Sequence, residues 1–440
     1  MATSRPANIA VPTAIQARPA ADALHGWRGL AALCGDAYAQ ASGRIHEFHR
    51  AIARQPFAAL DRVPAVSQAA APVRVLHDGI TDAVYFSVRQ IGGLVFDTLT
   101  ASLATASRLR EPATAPQAQP RLDLAAAAFS GAFGDHLAAR RNPLAPRAGF
   151  YASGLHLALD GDSLLAAFPQ ARKRLAIFVH GLCCNETSWQ MYAAVADPQR
   201  PATQPYGERL QAEGYSTLYL RYNSGAHISH NGRRLAHLLR QLVANWPVDV
   251  EEIVLVGHSM GGLVSRAAIA HGLQREQAWT GAVRHVFCLG TPHRGAALEK
   301  AVHGATTLMH AFELSRPWAR ALDARSVGIR DLRHGATAQA DWRREKTRDW
   351  HPPQPLARAA QARYHFIGCS IGADERDWRG RLIGDGLVHL PSALAKELAD
   401  ADAAVLFGRH HLQLLNDAAV YALIAEQLGL AGRRKKRKAA

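Results

Sequence analysis

The feature that most constrains this 440-residue chain is an aliphatic run, Ile253-Val254-Leu255-Val256, that passes directly into Gly257-His258-Ser259-Met260-Gly261. Four consecutive aliphatic residues bounded by glycine read as a buried strand, and the residues from Leu263 onward have helical spacing. A joint this short between strand and helix forces a sharp turn. Glycine is needed at both 257 and 261, because a side chain there would collide with neighbouring backbone. The turn lifts the Ser259 hydroxyl clear of the strand, and the helix N-terminus beneath it favours developing negative charge. Ser259 is therefore the candidate nucleophile. A bare G-x-S-x-G carries little weight in a chain with 35 glycines; the flanking strand and helix give this one its meaning.

Similar patterns lie on either side. Arg174–Val179 is an apolar run ending at His180-Gly181, and Ser216–Tyr222, Val283–Leu289 and Tyr364–Gly368 read as further strands. Gly232–Val243 has helical spacing. Strands separated by helices predict an α/β fold, a mostly parallel sheet flanked by helices. One interval breaks the rhythm. Ala296 to Trp350 is far longer than an ordinary crossover. Its apolar stripes, Leu298, Val302, Leu308 and Phe312, then Val327, Ile329 and Leu332, read as a helical cap or lid inserted over the site.

The expected organisation is a disordered leader (1–22), a helical N-terminal extension (23–145), the α/β domain (146–430, with 296–350 as the cap) and a basic tail (431–440). A linker-like stretch, Glu111 to Pro120, lies within the extension. Its clearest helical stripe is Ile80, Val84, Val88, Ile91, Val95 and Leu99, interrupted by Asp82, Arg89 and Asp97. Those charges do not suit a bilayer span. The stripe is expected to pack against protein, with a membrane-surface helix as the second reading.

Composition closes off several classes. The chain is 48% hydrophobic and 20% charged, which is globular rather than disordered or fibrous. Arg433, Arg434, Lys435, Lys436, Arg437 and Lys438 supply six of the fifteen net positive charges. That tail is read first as a solvated segment and second as an electrostatic contact with anionic membrane or nucleic acid. Cys34, Cys183, Cys184, Cys288 and Cys369 form neither a disulfide framework nor a metal-ligand spacing. No signal-peptide core or run of transmembrane length is present, so a cytoplasmic, peripherally membrane-associating protein is expected.

A nucleophilic serine needs two backbone N–H groups for the oxyanion, an acid and a base. Met260, directly after Ser259, supplies one N–H. The loop His180-Gly181-Leu182 after an earlier strand supplies the other, with Leu182 the first choice. His180 could also serve as a base, but its position suits loop architecture better. For a strand–elbow serine the acid and then the histidine follow in the chain. Asp385, between Gly384 and Gly386, is the candidate acid, with Asp374 and Asp377 as rivals. His410 and His411 are both candidates for the base.

The strand ending in His180-Gly181, the Ser259 elbow, Gly290-Thr291-Pro292-His293-Arg294-Gly295, Gly384-Asp385-Gly386-Leu387-Val388 and the His411 region together resemble α/β-hydrolases. Within that fold they are similar to bacterial triacylglycerol lipases and GPI-inositol-deacylase-like esterases, over roughly residues 150–430. The resemblance implies hydrolysis of carboxylic esters, often of lipid, with no cofactor. It places the acid at Asp385, in an Asp-Gly-x-Val setting, and the base at His411, which precedes Leu412-Gln413-Leu414-Leu415. His293 and Arg294 are expected to stabilise a loop, with contact to an anionic head group the second reading for Arg294. Cys183 and Cys184 are expected to pack, and Asn223 and Asn231 to cap a helix, with lining of the pocket as their second reading. Oligomeric state is not legible. The competing readings are a phospholipase, acyltransferase or polyester depolymerase using the same triad, and a non-catalytic scaffold that binds membrane or nucleic acid.

Overall fold

The computed structural model describes residues 23–60, 64–109, 127, 130–131, 134–152, 155–193, 204–295, 326–334, 337, 356–378, 380, 384–395 and 401–430. The leader, the linker, the stripe from Leu298 to Phe312, most of the 296–350 interval and the basic tail lie outside these residues.

The structure begins with two long helices, α1 (Ala23–Leu60) and α2 (Pro64–Leu109). They pack side by side as an antiparallel hairpin, bringing Tyr38 beside Phe96 and stacking His46 on Tyr85. The charges that interrupt the stripe are used across this hairpin: Asp82 accepts from His46 at 2.8 Å and lies 3.7 Å from Arg50. Two stripe residues are left outside the packing, since Val95 and Leu99 are 60% and 46% exposed. The side chains of Ile80, Val84, Val88 and Ile91 lie outside the description. No helix among the described residues is long and apolar enough to cross a membrane.

The α/β part follows in the order β1 (Gly149–Ala152), β2 (Leu155–His156), α3 (Gly161–Ala167), β3 (Arg174–Val179), α4 (Tyr206–Ala212), β4 (Ser216–Arg221), α5 (Ile228–Ala244), β5 (Glu252–His258), α6 (Met260–Gln274) and β6 (Val283–Leu289). Then come α7 (Val327–His334), β7 (Arg363–Ser370), α8 (Leu390–Leu394), β8 (Ala401–Phe407) and α9 (Ala418–Gln427). The strands form one sheet in the order β2-β1-β4-β3-β5-β6-β7-β8. From β4 to β8 every neighbour is parallel, whereas β1 runs antiparallel to both β2 and β4.

The aliphatic runs of β3 and β5 follow from their place in the middle of this sheet, buried on both faces. Successive side chains alternate between two cores. Leu175, Ile177, Ile253 and Leu255 join Leu235, Leu239, Leu263 and Ala268 of α5 and α6 on one face. Ala176, Phe178, Val254 and Val256 join Leu210 of α4 and Val420 and Ile424 of α9 on the other. The expected mostly parallel α/β sheet is therefore present.

Four elements depart from the sequence reading. The short strands β1 and β2 and the edge strand β8 carried no clear alternation. The stretch Leu412–Leu428, whose apolar spacing predicts one continuous helix, is two pieces, a 3-10 turn at His411–Leu414 and then α9. Asn416, at φ 59°, breaks the run, and the Asp417 carboxylate restarts it by accepting the N–H groups of Ala419 and Val420.

Candidate active site

Ser259 joins β5 to α6 at φ 54° and ψ −122°, a conformation that costs a non-glycine residue about 1–3 kcal/mol. Its N–H donates to Leu289 O of the neighbouring strand at 2.8 Å. The two glycines are needed for the reason read from the sequence. A β-carbon on Gly257 would lie 2.5 Å from Gly262 N, and one on Gly261 would lie 2.1 Å from Val179 O. The elbow is thus wedged against the end of β3, which brings the loop after β3 beside the serine. A β-carbon on Gly181 would sit 3.1 Å from Ser259 Cβ. Leu182 follows on that loop, and the buried Met260 opens α6.

His180 takes no part as a base. It is fully buried, its ring stacks on Tyr222 with centroids 4.2 Å apart, and Tyr222 N–H donates to Nε2 at 3.3 Å. That places the proton on Nδ1, which donates to Gly181 O at 2.8 Å. Burial pushes His180 down to about 3, so it stays neutral and holds the loop. His258 behaves alike. Burial, then the neighbouring His411, hold it at about 3, and its Nε2 donates to His411 O at 3.2 Å.

The loop after β7 carries the candidate acid. Asp385 Oδ1 accepts from the N–H groups of Leu387 (2.9 Å) and Val388 (2.7 Å). Oδ2 accepts from His411 Nδ1 at 2.7 Å and lies 3.8 Å from the Cys369 thiol. Both of these side chains are almost wholly buried. Burial alone would raise the Asp385 carboxyl, yet the bonds from His411, Val388 and Leu387 outweigh it and hold the group below the usual carboxylate range. The backbone closes the same joint, with His411 N–H donating to Asp385 O at 3.0 Å.

With Nδ1 committed to Asp385, the lone pair of His411 is on Nε2, and that buried atom has no hydrogen-bond partner. The His411 ring lies 4.9 Å from that of His258, the residue before Ser259. The structure therefore brings Asp385, His411 and the Ser259 elbow together at the C-terminal ends of β5 and β7. His410 is not part of this group. Its backbone N–H donates to Gln413 Oε1 at the start of the 3-10 turn, and its ring meets Tyr192 edge-on. Asp374 and Asp377 close an exposed turn by accepting the N–H groups of Arg376 and Ala373.

His293 fits its expected loop role: Nδ1 lies 2.7 Å from Arg266 Nη1 of α6. Arg294 N–H donates to Ser392 Oγ. Asn231 differs from the capping role expected of it. It lies inside α5 and donates back to Asn223 O and Ala226 O, so it ties down the preceding loop. Asn223 itself bonds Ser130 Oγ and Gly134 O, in the segment before β1. Sequence reading missed that link. The polar and glycine run Asn223-Ser224-Gly225 at the C-terminal end of β4 was the available signal. Among the described residues no group of three His, Cys, Asp or Glu side chains is placed to hold a metal ion.

Residues 171–355 match the family model of the PGAP1-like alpha/beta domain. No curated protein matches the sequence. Similar solved structures include lipase BlEst2 of Bacillus licheniformis in its mature form, at 18% identity and TM-score 0.38, over 64% of this chain and 97% of that one. A lipase-esterase related protein from Clostridium acetobutylicum is similar at 14% identity and TM-score 0.34, over 59% and 94%. A membrane phospholipase A, a bacterial virulence factor, is similar at 14% identity and TM-score 0.31, over 58% and 78%. The family-model match bears out the expected resemblance to α/β-hydrolases of the GPI-inositol-deacylase-like type. Over residues 171–355 the chain is similar to the PGAP1-like alpha/beta domain, and its mostly parallel eight-stranded sheet with flanking helices is that of an α/β-hydrolase.

Proposed function

We propose that this protein is a serine hydrolase of carboxylic esters, with Ser259, His411 and Asp385 as its triad. The observation that carries the reading is the buried 2.7 Å bond from His411 to Asp385, which leaves a partnerless Nε2 beside the Ser259 elbow.

In the first half-reaction Ser259 Oγ attacks the ester carbonyl while His411 Nε2 takes the hydroxyl proton. Asp385 stays ionised and stabilises the imidazolium. The carbonyl oxygen becomes an oxyanion facing the N–H groups of Leu182 and Met260. The intermediate collapses, the bond to the alcohol breaks, and His411 returns its proton to the departing alkoxide oxygen. An acyl-serine remains. Water then attacks it with His411 as base, and the acid leaves with Ser259 Oγ reprotonated.

A fluorophosphonate probe tests this directly: the wild-type protein should be labelled and Ser259→Ala should not. Labelling that persists in Ser259→Ala would remove Ser259 from the mechanism. An acyl-chain series of p-nitrophenyl esters beside emulsified triglyceride then separates an esterase from a lipase.

A further inference from the structure

The loop that offers Leu182 is held from two sides. Ser259 supports one side. The other is occupied by residues that come from before the first strand of the sheet. Gly131 packs directly on Cys183, the residue after Leu182: a β-carbon at 131 would lie 2.1 Å from Cys183 Sγ and 2.9 Å from both Cys183 Cα and Cys183 N. Cys183 is itself held in the left-handed region, at φ 59°. Its N–H donates to the buried Ser224 Oγ at 3.2 Å. The left-handed turn at Cys183 is therefore hemmed in by Ser224 and Gly131.

The residues around Gly131 are fixed in turn. Ser130 Oγ donates to Asn223 Oδ1 at 3.0 Å, and Asn223 Nδ2 donates to Gly134 O at 2.7 Å. Gly225 is pressed so close that a β-carbon there would meet Ser130 O at 2.1 Å. From the opposite side α7 reaches in. Ser326 Oγ donates to Gly131 O at 2.6 Å, and Val327 N–H donates to Asp135 Oδ2 at 3.0 Å. Behind this segment, His136 bonds Asp36 of α1 at 2.9 Å and Asn142 donates to Gly29 O.

We infer that Ser130, Gly131, Gly134 and Asp135 form a strut that positions the oxyanion loop, so that the N-terminal region is a working part of the catalytic unit. This rests on the proposed serine-hydrolase reading for its effect on rate. The strut residues touch no reacting atom. They act through Cys183 on the direction of the Leu182 N–H. A misdirected donor lowers transition-state stabilisation with little change in ground-state binding.

Two variants of the full chain test the strut, each read in two ways. Gly131→Val drives a side chain into Cys183. Ser326→Ala removes the bond that holds Gly131 O and is mild enough to leave the fold in place. Hydrogen exchange of the peptide spanning residues 180–185 reads the loop whether or not the protein hydrolyses esters. Both variants should exchange there several times faster than wild type. With a p-nitrophenyl ester, kcat should fall about tenfold or more in Gly131→Val and severalfold in Ser326→Ala, with KM within about twofold. Adding Cys183→Gly to Gly131→Val should restore much of the lost kcat, because it clears the colliding side chain and leaves the residue best suited to a positive φ. Unchanged exchange at 180–185 in Ser326→Ala overturns the strut, even if Gly131→Val does not fold. So does faster exchange with wild-type kcat. A wild-type protein that neither turns over esters nor takes the fluorophosphonate refutes the hydrolase reading instead, while the exchange result still decides whether the strut holds the loop.

Discussion

His411 Nδ1 donates to Asp385 Oδ2 across 2.7 Å, and this bond decides which ring nitrogen is free to accept a proton. His410, one residue earlier, stands in extended backbone at φ −95° and ψ 164°, so the two neighbouring side chains point to opposite sides. His411→Ala and Asp385→Ala should each lower kcat with a p-nitrophenyl ester by about a thousandfold or more. His410→Ala should stay within a few-fold of wild type. Reversal of that order would move the base to His410.

The conformation of Ser259 gives a second expectation, on stability rather than rate. At φ 54° and ψ −122°, alanine inherits the strain that serine bears, whereas glycine does not. Ser259→Gly should be more stable than Ser259→Ala by about 1 kcal/mol in urea unfolding, with both inactive. Equal midpoints would mean that the elbow stores no backbone strain.

The neighbouring Gly261 should tolerate even less. Its β-carbon would meet Val179 O at 2.1 Å and His180 O at 2.6 Å, both backbone atoms of the adjoining strand end. Gly261→Ala is expected to destabilise the protein by about 1–3 kcal/mol and to shift the oxyanion loop, reducing kcat as well. A variant as stable and as active as wild type would contradict the close approach of β3 to the elbow.

The elbow and the central strands were legible because their physics is local. An aliphatic run, a glycine-bounded turn and a helix start all fall within about ten residues around Ser259. The Asp385 loop was legible for a similar reason, since its carboxylate closes its own turn onto Leu387 and Val388. Strand β8 was not. Its Ala401–Phe407 stretch pairs, among the described residues, with β7 alone, and Asp402 is tolerated there because it faces His365 at 3.3 Å. Nor could the residues alone separate His410 from His411, whose difference is one of direction. The contact of Gly131 with Cys183 was equally hidden, since it depends on how distant segments meet.

Acid should weaken the fold before it reaches the carboxylates. Burial holds His180 and His258 at about 3, and burial with the adjacent His285 holds His365 at about 4, against an ordinary value of 6.5. Below 6.5 the unfolded chain takes up protons that the folded one refuses. The stability these groups contribute is therefore present in full above 6.5 and is lost as pH falls toward 4. Each contributes a slope of up to about 1.4 kcal/mol per pH unit in that window. Unfolding free energy measured in urea at pH 7, 6, 5 and 4 should trace the decline, and His258→Gln should flatten it by roughly one such increment. A variant with the same slope as wild type would show that His258 is already protonated in the fold.

The sheet order also bears on when the proposed triad can come together. Ser259 follows β5 in the middle of the chain, whereas His411 comes 153 residues after His258, on the last loop before α9. Asp385 precedes that histidine by only 26 residues. During synthesis the proposed nucleophile and oxyanion donors leave the ribosome before the proposed base does, and β8 must still join β7 for His411 to be set in place. On the proposed mechanism, a polypeptide that stops short of His411 has no base for Ser259 and is inert toward esters.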